Sequence, residues 1–343
     1  MAESNSEHHF QKGLTTEIIA GSAAAVFQNT ISYPFEFLKT GLQLQRSLPG
    51  TAPFNMLHSV KTYFAGNSAL NIAAIIKTTT RFTTFEKTCQ MLRDPSLPTS
   101  TPLSGPRLLM AGTITGFMES LWIIPFENIK VTMIENGIKS SERSQQRQEK
   151  VDITNGKPQQ EKKPKFHGTT SSGKLPLTPQ EAAFLKYEKT PPLHFFPTIK
   201  EIFLTRGVQG FFKGSFPTIF RQMSNTAVRF TVYTSLKQWI SPSKPLNEYY
   251  AFAIGLASSC AVVAITQPID VIKTRMQSKY AWNTYKNSLN CAYRIFIEEG
   301  VGKFWKGWIP RLFKVGLSGG ISFGVYQYVE NLVNLMRLEN YLE

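Results

Sequence analysis

A charged proline motif occurs three times along this chain. Pro34-Phe-Glu36-Phe-Leu-Lys39, Pro125-Phe-Glu127-Asn-Ile-Lys130 and Pro268-Ile-Asp270-Val-Ile-Lys273 all read P-x-[DE]-x-x-K. Each closes a stretch of membrane-helix length with a single charge. Leu14–Tyr33 carries only Glu17, Leu108–Ile124 only Glu119, and Asn247–Gln267 only Glu248. About 20 apolar residues span a bilayer. Three copies in one context define a tandem unit, and the repeat fixes the fold before any other feature is read.

The spacing of the copies is uneven. Pro34 to Pro125 is 91 residues and Pro125 to Pro268 is 143. The excess falls between Lys139 and Pro192, which is rich in Gln, Lys, Ser, Pro and Gly and has no sustained apolar period. That segment reads as a disordered loop insertion at 139–192. The units are then 10–98, 104–240 and 246–336.

A second mark keeps the same register. Phe64-Ala-Gly66, Phe212-Lys-Gly214 and Trp305-Lys-Gly307 each open a further helix. Arg81 and Arg229 lie 15 residues after their glycines, and Phe82, Phe230 and Phe323 lie 16 after theirs. The pattern predicts an all-α membrane protein with six transmembrane helices in three pseudo-symmetric repeats and both termini on one side. Each motif proline removes a helix hydrogen bond and should kink its helix. Small residues four apart (Gly21/Ala25, Gly112/Gly116, Gly255/Ser259) suit close helix packing in lipid, and a buried soluble helix tolerates them too.

Composition excludes several classes. Mean hydropathy is −0.17, since long polar segments dilute the apolar ones. Net charge is +15, yet no zinc-finger, recognition-helix or RNA-binding signature accompanies it, so nucleic acid is not an expected partner. Cys89, Cys260 and Cys291 are scattered and odd in number, which implies no disulfide framework. The five His show no metal-ligand spacing, and no nucleophile–base arrangement or phosphate loop appears. The chain reads as a non-enzyme with no catalytic residue, cofactor or metal. Met1–His9 has neither a presequence pattern nor a secretory signal, so targeting information is expected to be internal.

Charges within membrane spans usually face a protein interior or a water-filled cavity. Lys77 and Arg81 are four apart, Arg221, Asn225 and Arg229 are spaced by four, and Arg311 and Lys314 by three, so each set shares a helical face. Six cations would line one cavity with no acid at that depth. Snorkelling to headgroups is the alternative for cations near helix ends, and it suits Arg311 but not Arg81 or Arg229. Such a cavity attracts anions, and Arg clasps carboxylates bidentately. Gln222 and Asn225 suit hydroxyls or carboxylate oxygens, or plain helix–helix hydrogen bonds. Glu119 either acts with these cations or is merely buried.

The motif triplet and its setting resemble the mitochondrial carrier family, over nearly the whole chain except its ends and the insertion. Within it, Tyr33–Gln43, the run Arg221-Gln-Met-Ser-Asn-Thr-Ala-Val-Arg-Phe230, Gln267–Gln277 and Pro310–Lys314 resemble the tricarboxylate (citrate) carriers. The resemblance implies a gate on the matrix side, with Glu36 paired to Lys130, Glu127 to Lys273 and Asp270 to Lys39. It makes Gln43 and Gln277 bracing glutamines, with Ile134 in the third place. It makes Lys77, Arg81, Arg221, Gln222, Asn225, Arg229, Arg311 and Lys314 the substrate contacts. It also implies cardiolipin, an inner-membrane lipid, at Gly214 and Gly307, a monomer, and an inner-membrane location with termini toward the intermembrane space. The implied activity is exchange of tricarboxylates for other carboxylates by alternating access. Other anions (dicarboxylate, oxoacid, sulfate, nucleotide) and a partner-binding orphan carrier remain the rival readings. Two departures stand out. The first unit lacks an acidic-glycine stretch before Phe64, so its matrix-side helix should be short. Phe85-Glu86 and Tyr326-Gln327 are incomplete versions of the opposite gate, with Lys237 short of partners.

Overall fold

The computed structural model describes residues 2–46, 54–56, 58–93, 105–153, 178–240 and 248–318, with 321, 325, 328 and 329. Among them there is no strand. The helices in chain order are α1 (Ala2–Leu44), α2 (Val60–Tyr63), α3 (Asn67–Leu92), α4 (Gly105–Ile153), α5 (Pro179–Lys189), α6 (Phe195–Arg206), α7 (Ser215–Ile240), α8 (Glu248–Gln277), α9 (Ala281–Thr284), α10 (Ser288–Arg294) and α11 (308–318).

Pro34, Pro125 and Pro268 lie inside α1, α4 and α8, which run on through the motif. Hydroxyl groups in these apolar helices satisfy themselves by bonding back one turn. Ser32 Oγ donates to the Gln28 carbonyl at 2.7 Å, Thr115 Oγ1 to Ala111 at 2.8 Å and Thr266 Oγ1 to Val262 at 2.6 Å. α3 packs on α1 and α4, and α7 on α4 and α8, while α1, α4 and α8 also meet one another pairwise. Gly21 allows the α1–α3 approach, because a Cβ there would lie 2.9 Å from Thr78 Cγ2 and Phe82 Cε2. Gly112 has open space around it, so the small-residue spacing reflects no tight contact on that helix.

Buried polar groups lie inside and large apolar side chains face out. Glu36, Glu119, Glu127, Lys130, Asp270 and Lys273 are all buried, while Phe27, Ile31, Trp122, Phe216, Ile265, Trp308 and Phe313 are exposed. A soluble core reverses this order. One described helix holds an 18-residue stretch long and apolar enough to cross a membrane, within Gly105–Gln148, and 29% of that stretch is buried. Apolar packing gathers at the motif end, in clusters around Ile134, Ile202 and Ile295.

The three glycine turns share one construction. Gly66, Gly214 and Gly307 have φ of 91°, 80° and 79°, a left-handed conformation that glycine adopts without strain. Gly66 sits against the Lys130 carbonyl, Gly214 against Lys273 and Gly307 against Lys39, so each turn leans on the motif lysine of another unit. The carbonyl just before each glycine is held within its own unit. Tyr33 Oη donates to Ala65 O at 2.5 Å, Asn128 Nδ2 to Lys213 O at 3.2 Å, and Gln267 Nε2 to Lys306 O at 2.9 Å.

α2 spans four residues, as the degenerate sequence before Gly66 predicts, against twelve in α6. The insertion needs correction. α4 continues to Ile153, and Pro179–Lys189 is a helix with a full capping box between Thr178 and Glu181. Neither end is therefore irregular loop, and only 154–177 lies outside the described residues. Continuation of α4 is local physics, since Lys139–Ile153 is rich in Glu, Gln, Arg and Lys, which favour helix without needing an apolar face.

Candidate substrate cavity

A cavity of about 660 Å³ opens between α1, α3, α4, α7, α8 and α11. Its floor is a ring of three ion pairs drawn from the three motifs. Lys130 Nζ lies 2.6 Å from Glu36, Lys273 Nζ 2.6 Å from Glu127, and Lys39 Nζ 2.5 Å from Asp270. These pairs join α4 to α1, α8 to α4, and α1 to α8. The motif spaces each acid and lysine three apart, on one helical face, so every helix offers an acid to one neighbour and a lysine to the other.

Gln43 donates to Asp270 Oδ2 at 3.1 Å and accepts from Thr274 Oγ1 at 2.7 Å. Gln277 reaches Glu127 Oε2 at 3.5 Å and Thr218 Oγ1 at 3.4 Å. Ile134, in the corresponding place, is fully buried against Tyr33 and Phe37. One pair thus rests on hydrocarbon where two rest on an amide.

Among the described residues, five cations line the cavity above the ring: Lys77, Arg81, Arg221, Arg311 and Lys314. The expectation of an acid-free cluster is overturned, because carboxylates meet them at two levels. Glu119, 2% exposed, accepts from Arg81 Nε at 2.6 Å and lies 3.7 Å from Lys77 Nζ. Lower down, the ring acids each carry a second cation. Lys314 Nζ is 3.1 Å from Glu36, and Arg221 is 3.7 Å from Glu127 and 3.5 Å from Asp270. Arg311 Nη1 is 4.0 Å from Asp270.

Snorkelling does not describe Arg311. It is buried, donating to Gln267 Oε1 at 2.9 Å, Thr266 Oγ1 at 2.7 Å and Asn225 Oδ1 at 3.5 Å. Asn225 lines the cavity, whereas Gln222 is not among its lining residues and lies against Gly116 of α4, 3.6 Å from a Cβ built there. The side chains of Arg229 and Lys237, and residues Tyr326 and Gln327, lie outside the described residues. Glu86 makes no ion pair with another described residue, so the opposite gate has no described bond.

Sequence reasoning missed the residues that hold the turn carbonyls. Tyr33 and Gln267 both precede a motif proline, a matched place that gave the signal; Asn128 takes over where Ile124 has no donor.

A continuous ring of helix-to-helix ion pairs under a polar, cation-lined cavity defines a transporter of the carrier type. Residues 10–96, 177–244 and 244–337 match the family described as mitochondrial carrier protein, and the chain belongs to that family. It is a transporter and not an enzyme. Its relatives include an uncharacterised mitochondrial carrier of Saccharomyces cerevisiae, 44% identical over 335 residues (97% of this chain and 98% of the other). The mitochondrial citrate transporter A of Aspergillus niger is 34% identical over 333 residues, covering 95% of each chain. The tricarboxylate transport protein of Saccharomyces cerevisiae is 32% identical over 326 residues, 91% of this chain and 93% of the other.

Proposed function

We propose that this carrier exchanges tricarboxylates such as citrate or isocitrate for other carboxylates across the mitochondrial inner membrane. The observation that carries the reading is the second cation on every ring acid. Lys314, Arg221 and Arg311 each lie within 4.0 Å of a ring carboxylate on the cavity side. A tricarboxylate offers those cations replacement oxygens. Its carboxylates would bond those cations, and the new contacts would offset the cost of parting the ring pairs, about 3–5 kcal/mol for each buried charge left unpaired. Opening on the far side of the ring completes alternating access.

The relatives named for citrate and tricarboxylate transport support the substrate class. Six membrane helices in three repeats, with both termini on one side, follow from the register of motif and glycine marks, and the likeness to carriers puts that side toward the intermembrane space. The exposed apolar faces suit a lipid setting. We assign Arg229 to the same face as Arg221 and Asn225 by its spacing. Gly214 and Gly307, with backbone N–H groups at helix starts, would take anionic headgroups such as cardiolipin. The carrier works as a monomer on this reading.

Citrate binding is the test. At a hundredfold excess over Kd, citrate should raise the unfolding temperature of the purified protein by about 5 °C. The R311Q variant should lose that shift. An equal shift with a monocarboxylate, or none with any carboxylate, would remove the assignment.

A further inference from the structure

On the far side of the ring, α4 meets the turn after α8 through a buried polar network. Glu135 accepts from Ser278 Oγ at 2.5 Å and from the Lys279 backbone N–H at 2.7 Å. Lys279 Nζ lies 3.0 Å from Glu201 of α6 and donates to Asn136 Oδ1 at 3.1 Å, and Asn136 Nδ2 donates to Glu201 at 2.6 Å. Both Lys279 and Glu201 side chains are 2% exposed.

Helix α5 lies over this network. It is the C-terminal part of the insertion, and its residues touch both sides of the seam. Phe184 meets the Tyr280 ring edge-on at 6.0 Å, and Glu188 accepts from Tyr280 Oη at 3.3 Å and from Lys139 Nζ at 3.1 Å. Lys139 Nζ also sits 4.4 Å over the Tyr280 ring, and Phe184 lies 5.8 Å from Lys279 Nζ. The α1–α8 seam has a dry pair of its own, Arg275 with Glu299, and Arg275 Nε donates to the Gln43 carbonyl at 3.0 Å, but no part of the insertion is described over it; the α1–α4 seam has the exposed Asn55–Gln145 bond.

The two layers differ in strength. The Lys279–Glu201 pair is dry, so parting it leaves charges without water or partner. The α5 contacts are half-exposed and worth little each. Lifting α5 is therefore the easier step, and it admits water to the pair beneath. We propose that α5 is a latch: it holds the α4–α8 seam shut on the far side of the ring, and that seam parts only after α5 lifts. This rests on the alternating-access reading above. It gives the insertion a conformational role that the transport site does not need.

The test uses the full-length protein in lipid nanodiscs, on a cysteine-free background, with spin labels at Ser144 of α4 and Lys286 beyond α9. Without substrate, the parent should show one narrow distance. F184A/E188A should add a longer population, and its carboxylate exchange in liposomes should rise about fivefold, the size of one aromatic contact and one weak ion pair. As a second variant, F184C/Y280C joined by a short bifunctional thiol reagent should keep the narrow distance and stop exchange. Identical distances in parent and F184A/E188A, or full exchange in the cross-linked protein, would overturn the latch. A broadened distance with no citrate exchange in the parent would keep the latch and remove the substrate assignment instead.

Discussion

Below the Glu36–Lys130 pair, α1 and α4 meet through Tyr33, Phe37 and Ile134, all fully buried, with Leu44, Tyr63 and Ile138 packed around them. Below the Glu127–Lys273 pair, α4 and α8 meet through Gln277, Glu135, Asn136, Lys279 and Glu201. The ring above is the same in both seams, 2.6 Å pairs of Lys and Glu. What lies beneath differs in kind. Apolar contact has no direction and re-forms in any register, so it closes a seam without dictating when it opens. Hydrogen-bonded charge holds one geometry and resists partial separation. The comparison teaches that a threefold ring need not open as a threefold event.

The largest effect should come from unbalancing the charged seam. E201Q takes from the buried Lys279 its ion-pair carboxylate and should cost about 3–5 kcal/mol of stability. The E201L/K279M double variant should recover most of that loss, and thermal unfolding of the pair of proteins reads the difference. Equal losses in both would mean the seam is held by packing.

Next comes the apolar seam. I134A removes fully buried hydrocarbon and should cost about 2–4 kcal/mol, with no dependence on salt. An ionic-strength dependence as steep as that of E201Q would erase the distinction between the seams.

The turn carbonyls rank third. N128A strips the donor to Phe211 O and Lys213 O, at 2.8 and 3.2 Å, and should cost about 1–2 kcal/mol by the same assay. The smallest effect should be Y280F, which removes only the 3.3 Å bond to Glu188, about 0.5 kcal/mol. Cys291 gives a check without mutation. It is fully buried in the third unit and burial pushes its thiol up to about 12, so it should resist maleimide at pH 7 until the protein unfolds.

The ring pairing was legible because the motif carries its own geometry: an acid and a lysine three apart, three times over, imply who meets whom once the resemblance to carriers is taken. The short α2 was legible for the same reason, through the missing acidic-glycine stretch. The Glu119–Arg81 bond was not. Both residues stood out as span charges, but only packing of α3 on α4 says that they touch. The latch helix was hidden by composition, although Thr178-Pro-Gln-Glu181 is a readable helix start. Its apolar residues, Ala182, Ala183, Phe184, Leu185 and Tyr187, are bunched in too short a run for a period to register.

The most direct test of the account is uptake of labelled citrate into liposomes holding the purified protein and preloaded with citrate, malate or ATP. The account predicts rapid uptake against internal citrate or malate, with loss of at least about a hundredfold in R221Q, whose guanidinium bridges two ring acids. Citrate uptake that persists at full rate in R221Q, or a folded parent that exchanges no tricarboxylate, would contradict it.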